Sequence, residues 1–107
     1  MKKITLTVYA DPSHAWAKVS IDLLKTLDIQ NDISRYSYKR GNFAYLEEDL
    51  DLTVLIDALK AAYPGIVIRY KEHLANKSSK IRSYVPYTQD NLMSFIRNHV
   101  QFVSIGD

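Results

Sequence analysis

An α+β domain, with a mainly antiparallel sheet of five to six short strands and two to three helices, is the fold class this sequence predicts. Three observations lead there. Residues 3–9 alternate, Ile4, Leu6 and Val8 against Thr5, Thr7 and Tyr9, which is the period of a half-buried strand. Gly41-Asn42 separates two strand-favouring runs, and glycine supplies the positive φ that a two-residue hairpin turn requires. Leu52, Leu55, Ile56, Leu59 and Ala62 recur at helical spacing.

The elements follow in order. Asp11-Pro12-Ser13 ends the first strand with turn chemistry, and His14 to Val19 can form a second. Ser20 offers an N-cap oxygen to a helix over about 21–28, with Ile21, Leu24 and Leu27 as its core stripe. Gln30-Asn31-Asp32 connects, and Ile33 opens the central hairpin. With Gly41-Asn42 as the loop, Arg40 opposes Phe43, Tyr38 opposes Tyr45 and Tyr36 opposes Glu47. Tyr36, Tyr38, Phe43 and Tyr45 then form one aromatic stripe, with Ser37, Lys39, Ala44 and Leu46 on the other face. Asp49 or Asp51 caps the next helix, and Pro64-Gly65 stops it. Ile66, Ile68 and Tyr70 alternate with Val67, Arg69 and Lys71 in a further strand. Asn76 to Lys80 reads as a polar loop, Ile81 to Val85 as a short last strand, and about 89–102 as an amphipathic C-terminal helix.

The 107 residues, 47% of them apolar, fit one domain over 1–107. Such a chain buries somewhat over ~60% of its unfolded surface and needs no staple. The absence of cysteine excludes a disulfide framework, a zinc ribbon and a thiol nucleophile, and suits a reducing compartment. MKKITLTVYAD alternates in polarity and meets Asp11-Pro12, so it reads as a strand and not as a signal peptide. No apolar run approaches the ~18 residues of a membrane span, and a cytoplasmic protein without a membrane partner is expected.

The net charge of +2 is small, but its distribution is uneven. Arg35, Lys39 and Arg40 form one basic cluster, and Arg69, Lys71, Lys77, Lys80 and Arg82 form another. Between them, Glu47, Glu48, Asp49, Asp51 and Asp57 form an acidic block. The two basic segments make one positive face if strand order brings them together; otherwise the second is an edge strand kept soluble by its lysines.

Site chemistry is sparse. The three histidines, His14, His73 and His99, lack metal-ligand spacing, and Glu72 and His73 fall on opposite faces of a strand. Structural roles suit them, with His14, in a turn beside Trp16, as the exception. Glu47, Glu48 and Asp49 with His14 could hold a divalent cation for hydrolysis, or simply favour a helix N-terminus. No EF-hand spacing, glycine-rich phosphate loop or Glu-x-Lys element accompanies them, so neither a cofactor nor a catalytic set is expected. Tyr36, Tyr38 and Tyr45 beside Arg35, Lys39 and Arg40 could stack unpaired bases, form a protein-binding hot spot, or lie in the core under a helix.

SHAWAKV, ISRYSYKRGNFAYLEEDLD and KEHLANKSSKIRSY resemble a group of small proteins of undefined function from bacteriophages, prophages and plasmids. The matching positions are Asp11, His14, Trp16, Ser37, Tyr38, Gly41, Tyr45, Glu47, Glu48, Asp49, Ile81, Arg82 and Tyr84, within residues 9–84. The chain departs at Ser13 and Ala15, where the group often has glycine, and at Leu50, where it often has cysteine. The resemblance implies a mobile-element accessory protein that binds and blocks a host factor in the host cytosol, in the manner of an anti-CRISPR. The partner is then a host protein or protein–nucleic acid complex. The binding residues expected are His14, Trp16, Tyr36, Tyr38, Arg40, Tyr45, Lys77, Lys80 and Arg82. Single-stranded nucleic-acid binding and metal-dependent hydrolysis are the alternatives.

Overall fold

The computed structural model describes residues 1–88. It is α+β, with strands β1 (Lys3–Ala10), β2 (Ala15–Ser20), β3 (Tyr38–Arg40), β4 (Phe43–Glu47), β5 (Val67–Leu74) and β6 (Val85–Pro86). Helix α1 spans Ile21–Thr26 and α2 spans Asp51–Ala62, while Lys80–Ser83 forms a 3-10 turn. The expected C-terminal helix lies outside the described residues.

The six strands form one sheet in the order β5-β1-β2-β4-β3-β6. Four pairings are antiparallel, but β1 and β5 run parallel over their whole length, from Lys3↔Val67 to Ala10↔Leu74. The sheet is therefore mixed. The reason is connectivity: β4 runs with β1, and a strand reached through a helix returns in the same direction. Helix α2 carries the chain from β4 across β2 and β1 to the far edge.

Local signals do what the side chains dictate. Ser20 Oγ accepts the Leu23 N–H at 3.1 Å and caps α1. Asp28 takes φ 57°, the Ile29 N–H reaches the Leu24 carbonyl and the Asp28 N–H reaches that of Lys25, a Schellman ending sealed by buried Leu24 and Ile29. Gly41, at φ 59°, is the first residue of the β3–β4 turn, and the register Arg40↔Phe43 and Tyr38↔Tyr45 is the expected one. Leu6, Val19, Ala44 and Leu46 from the sheet meet Leu24, Leu55 and Leu59 from the helices in the main core. The two described helices, α1 and α2, cover this face.

Three local expectations are corrected. The Tyr36↔Glu47 pair does not form, because β3 begins at Tyr38. Ser34 turns the chain beforehand, its Oγ accepting the Tyr36 N–H at 3.1 Å and its carbonyl the Ser37 N–H at 3.3 Å. Of residues 81–85, only Val85 is strand: Ser79 Oγ accepts the Ile81 N–H at 3.2 Å and nucleates the 3-10 turn, leaving Val85–Pro86 to pair with β3. Neither Asp49 nor Asp51 caps α2, which has no side-chain cap. Asp51 is its first residue, and its buried carboxylate accepts the Ser34 N–H at 3.0 Å, the Ser34 hydroxyl at 2.7 Å and the Ser37 hydroxyl.

Asp51→Ala is expected to cost about 3 kcal/mol of stability, since it leaves the buried Ser37 hydroxyl and the Ser34 amide without their acceptor. Asp49→Ala should stay within about 0.5 kcal/mol. Urea unfolding followed by circular dichroism measures both.

Candidate functional site

The face of the sheet turned away from the helices carries the side chains that can do chemistry. Cross-strand register fixes its members. One row runs His73, Tyr9, Trp16 and Glu47 across β5, β1, β2 and β4, and the next runs Lys71, Thr7, Lys18, Tyr45 and Tyr38. Arg69 and Thr5 pair beyond these, and Arg40 and Phe43 pair beside the hairpin turn. Among these strand residues Glu47 is the only carboxylate.

A strap formed by residues 79–84 crosses the middle of this face. Its Ile81 is buried against Trp16 and Tyr45, with Tyr9, Tyr38 and Tyr84 around them. Of the expected aromatic stripe, Tyr38, Phe43 and Tyr45 share a face, Tyr36 does not join them, and the part around Tyr45 is core. Tyr45 and Trp16 are 7% and 2% exposed, whereas Tyr36, outside the sheet, is 56% exposed. Burial pushes the Tyr45 phenol above its ordinary value.

One carboxylate fastens the strap. Asp11 Oδ1 accepts the N–H groups of Ser13 and His14 at 2.9 and 3.0 Å, and Oδ2 accepts that of Ser79 at 2.9 Å. Arg82 closes on the same carboxylate with two parallel bonds, Nε to Oδ2 at 2.8 Å and Nη2 to Oδ1 at 3.0 Å. The Arg82 guanidinium also lies 5.2 Å from the Trp16 ring centre. The Arg82 bonds, followed by the backbone donors, hold the Asp11 carboxyl far below the usual carboxylate range.

Beside the strap lies a cleft of about 340 Å³ lined by His14, Trp16, Arg35, Tyr36, Tyr38, Glu47, Asp49, Leu50 and Arg82. Trp16 and Tyr38 meet edge to face at 6.2 Å, and the Arg35 guanidinium sits 5.5 Å from the Tyr36 ring centre. Glu47 is 8% exposed. Its Oε2 accepts the N–H groups of Asp49 and Leu50 at 2.9 and 3.0 Å, while its Oε1 faces His14 Nδ1 at 4.0 Å. Burial raises the Glu47 carboxyl, against the two backbone donors that favour its charged form.

No family model, no curated protein and no solved structure matches the chain. The geometry alone therefore assigns the residues. Of the nine binding residues the sequence suggests, His14, Trp16, Tyr36, Tyr38 and Arg82 converge on the cleft, the last as its fastening and the second as its buried wall. Arg40 stands over Tyr84 at 5.0 Å in a neighbouring groove, Lys80 and Tyr45 line a third hollow, and Lys77 is exposed on the loop after β5. Sequence reading placed Arg35 beside the tyrosines and Asp49 with His14 and Glu47, but it missed Asp11 as the residue that fastens this site. The signal for Asp11 was present, since Asp-Pro-Ser-His is an Asx-turn sequence whose carboxylate bonds two and three residues ahead. Among the described residues, no group of three or more histidine and acidic side chains lies close enough to hold a metal ion. No described helix is long and apolar enough to cross a membrane.

The two carboxylates give opposite pH signatures. A carboxyl depressed in the folded state, like Asp11, adds stability above its unfolded value near 4, and this is lost as pH falls below that value. A raised carboxyl, like Glu47, disfavours the fold once pH climbs through its folded value. Arg82→Ala is therefore expected to shift Trp16 emission to the red at neutral pH and to flatten the acid limb. Between about pH 5 and about pH 2 the wild-type melting temperature should fall further than the variant's.

Proposed function

We propose that the protein acts by binding a macromolecule, and that single-stranded nucleic acid laid across the face of the sheet opposite α1 and α2 is that macromolecule. One observation carries the reading. Lys3, Lys18, Arg40, Arg69 and Lys71 share a face on which the strands place one carboxylate, Glu47, with Glu72 on the other face, and Tyr9, Phe43 and His73 are interleaved with them. Cations recruit phosphates, and exposed rings stack on unpaired bases. Lys18 Nζ lies 4.2 Å from the Phe43 ring centre, and Tyr9 stacks on His73 at 5.1 Å, so flat surfaces and positive charge occur together. From β5 to β3 the face spans about 19 Å, four strand spacings, and the strap of residues 79–84 crosses its middle, so a strand would pass beside the strap.

A second reading, the blocking of a host-defence protein by an accessory protein of mobile-element type in the host cytosol, draws on a different spot. Tyr36, the most exposed tyrosine of the hairpin region at 56%, stands with Arg35 at the mouth of the cleft. Tyrosine and arginine are the residue types that dominate protein-binding hot spots.

Anisotropy of a labelled single-stranded oligonucleotide separates the two. Affinity is expected to fall with salt at a log–log slope of about −2 to −3, as for three or four phosphate contacts. Replacing Arg69 and Lys71 together by alanine should lower that slope by about 1.4. An absence of binding at low salt overturns the nucleic-acid reading. Recovery of a stoichiometric protein from host lysate would then support the second.

A further inference from the structure

The cleft has a polarity that the rest of the cationic face lacks. Glu47 is buried, its Oε2 is occupied by two backbone N–H groups, and its Oε1 takes no protein donor among the described residues, with His14 Nδ1 beyond bonding distance at 4.0 Å. The Glu47 side chain is 10% exposed, and Oε1 keeps acceptor capacity at the solvent side, so a ligand N–H can take the place of water there. Asp49 brings a second carboxylate to the same cleft, Trp16, Tyr36 and Tyr38 bring ring surface, and Arg35 brings a positive charge. The 340 Å³ volume lies at the small end of the range for one planar ligand.

We infer that this cleft is a base subsite that reads guanine, the ring held among the aromatic side chains, its N1–H and N2–H donating to Glu47 and Asp49, and its phosphate drawn to Arg35. The subsite rests on the nucleic-acid reading above and adds base preference to it. Guanine is singled out by donor pattern. Its pairing edge sets a ring N–H beside an amino group, two adjacent donors for carboxylate oxygens. Adenine and cytosine set one amino group beside a ring nitrogen lone pair, and uracil flanks its N–H with two carbonyls; in each case a lone pair faces a carboxylate. The guanidinium of a partner's arginine offers similar donors, but Arg35 opposes a cation and attracts a phosphate.

The chain has a single tryptophan, Trp16, and it forms a wall of the cleft, so its emission reports occupancy directly. In titrations with GMP, AMP, CMP, UMP and N-acetylarginine amide, GMP is expected to quench Trp16 with an affinity at least about tenfold above the others, the discrimination of one good two-bond contact. Glu47→Gln, checked for folding by its melting temperature, should abolish that preference. Arg35→Ala alters an exposed side chain. It should weaken GMP while leaving guanosine unchanged. Equal responses to the four nucleotides, or a stronger response to the arginine derivative, overturns the subsite. If that happens while the oligonucleotide still binds in a salt-dependent way, only the subsite falls; if neither binds, the parent reading falls too.

Discussion

The Asp11 carboxylate is the constraint on which the arrangement of the face opposite α1 and α2 depends. It joins the β1–β2 turn to a segment 68 and 71 residues further along the chain, through Ser79 and Arg82. Five donors converge on it, and the bidentate Arg82 contact adds geometric specificity to charge. Ordering residues 79–84 costs conformational entropy that a 3-10 turn of four residues does not recover by itself. Asp11 at one end of the strap and buried Ile81 at its middle offset that cost. Where the strap lies then decides which aromatics are core: Tyr45 and Trp16 go under it, while Tyr36 stays in solvent.

A second polar chain sets the other wall of the cleft. Asp51, at the start of α2, accepts the Ser37 hydroxyl; Ser37 Oγ accepts the Glu47 N–H at 2.8 Å; Glu47 Oε2 accepts the N–H groups of Asp49 and Leu50. Ser37 thus stands where a backbone partner for Glu47 would otherwise be. That is why the hairpin ladder ends at Tyr38 and why Tyr36 swings out beside Arg35. A buried, fully bonded hydroxyl is worth little net stability, but it fixes one register and one direction for the chain leaving the sheet.

What could be read from the residues, and what could not, divides along sequence distance. The Ser20 cap, the Gly41 turn, the α2 stripe and the β5 alternation are settled by neighbours within a few positions, and each was legible. The parallel pairing of β5 with β1 was implicit in the strand–helix–strand order around α2, a topological fact that alternation alone does not carry. Ile81 looked like a strand residue because its burial comes from Trp16 and Tyr45, far away in the chain. His14, Trp16, Tyr36 and Tyr38 were legible as candidates by residue type. His14 with Glu47 and Asp49 was legible as a metal-site candidate; that they meet the rings and Arg35 in one cleft was not, because it follows from bonds such as Ser37–Glu47 and Asp11–Arg82, 10 and 71 residues apart.

Glu47 lines this cleft and Asp11 holds another of its walls, Arg82, and the environments of the two carboxyls push their acidities apart. Both are buried, so burial alone does not separate them. Donor count does: five bonds including a guanidinium at Asp11, against two backbone amides at Glu47, with one oxygen left over. A carboxylate saturated by the protein has nothing to offer a ligand and is a fastening. The other keeps acceptor capacity in a site walled by rings, where a donor from outside gains most because water is partly excluded. The division of roles follows from how many N–H groups each oxygen already holds, which makes Glu47, and not the more strongly bonded Asp11, the centre of recognition.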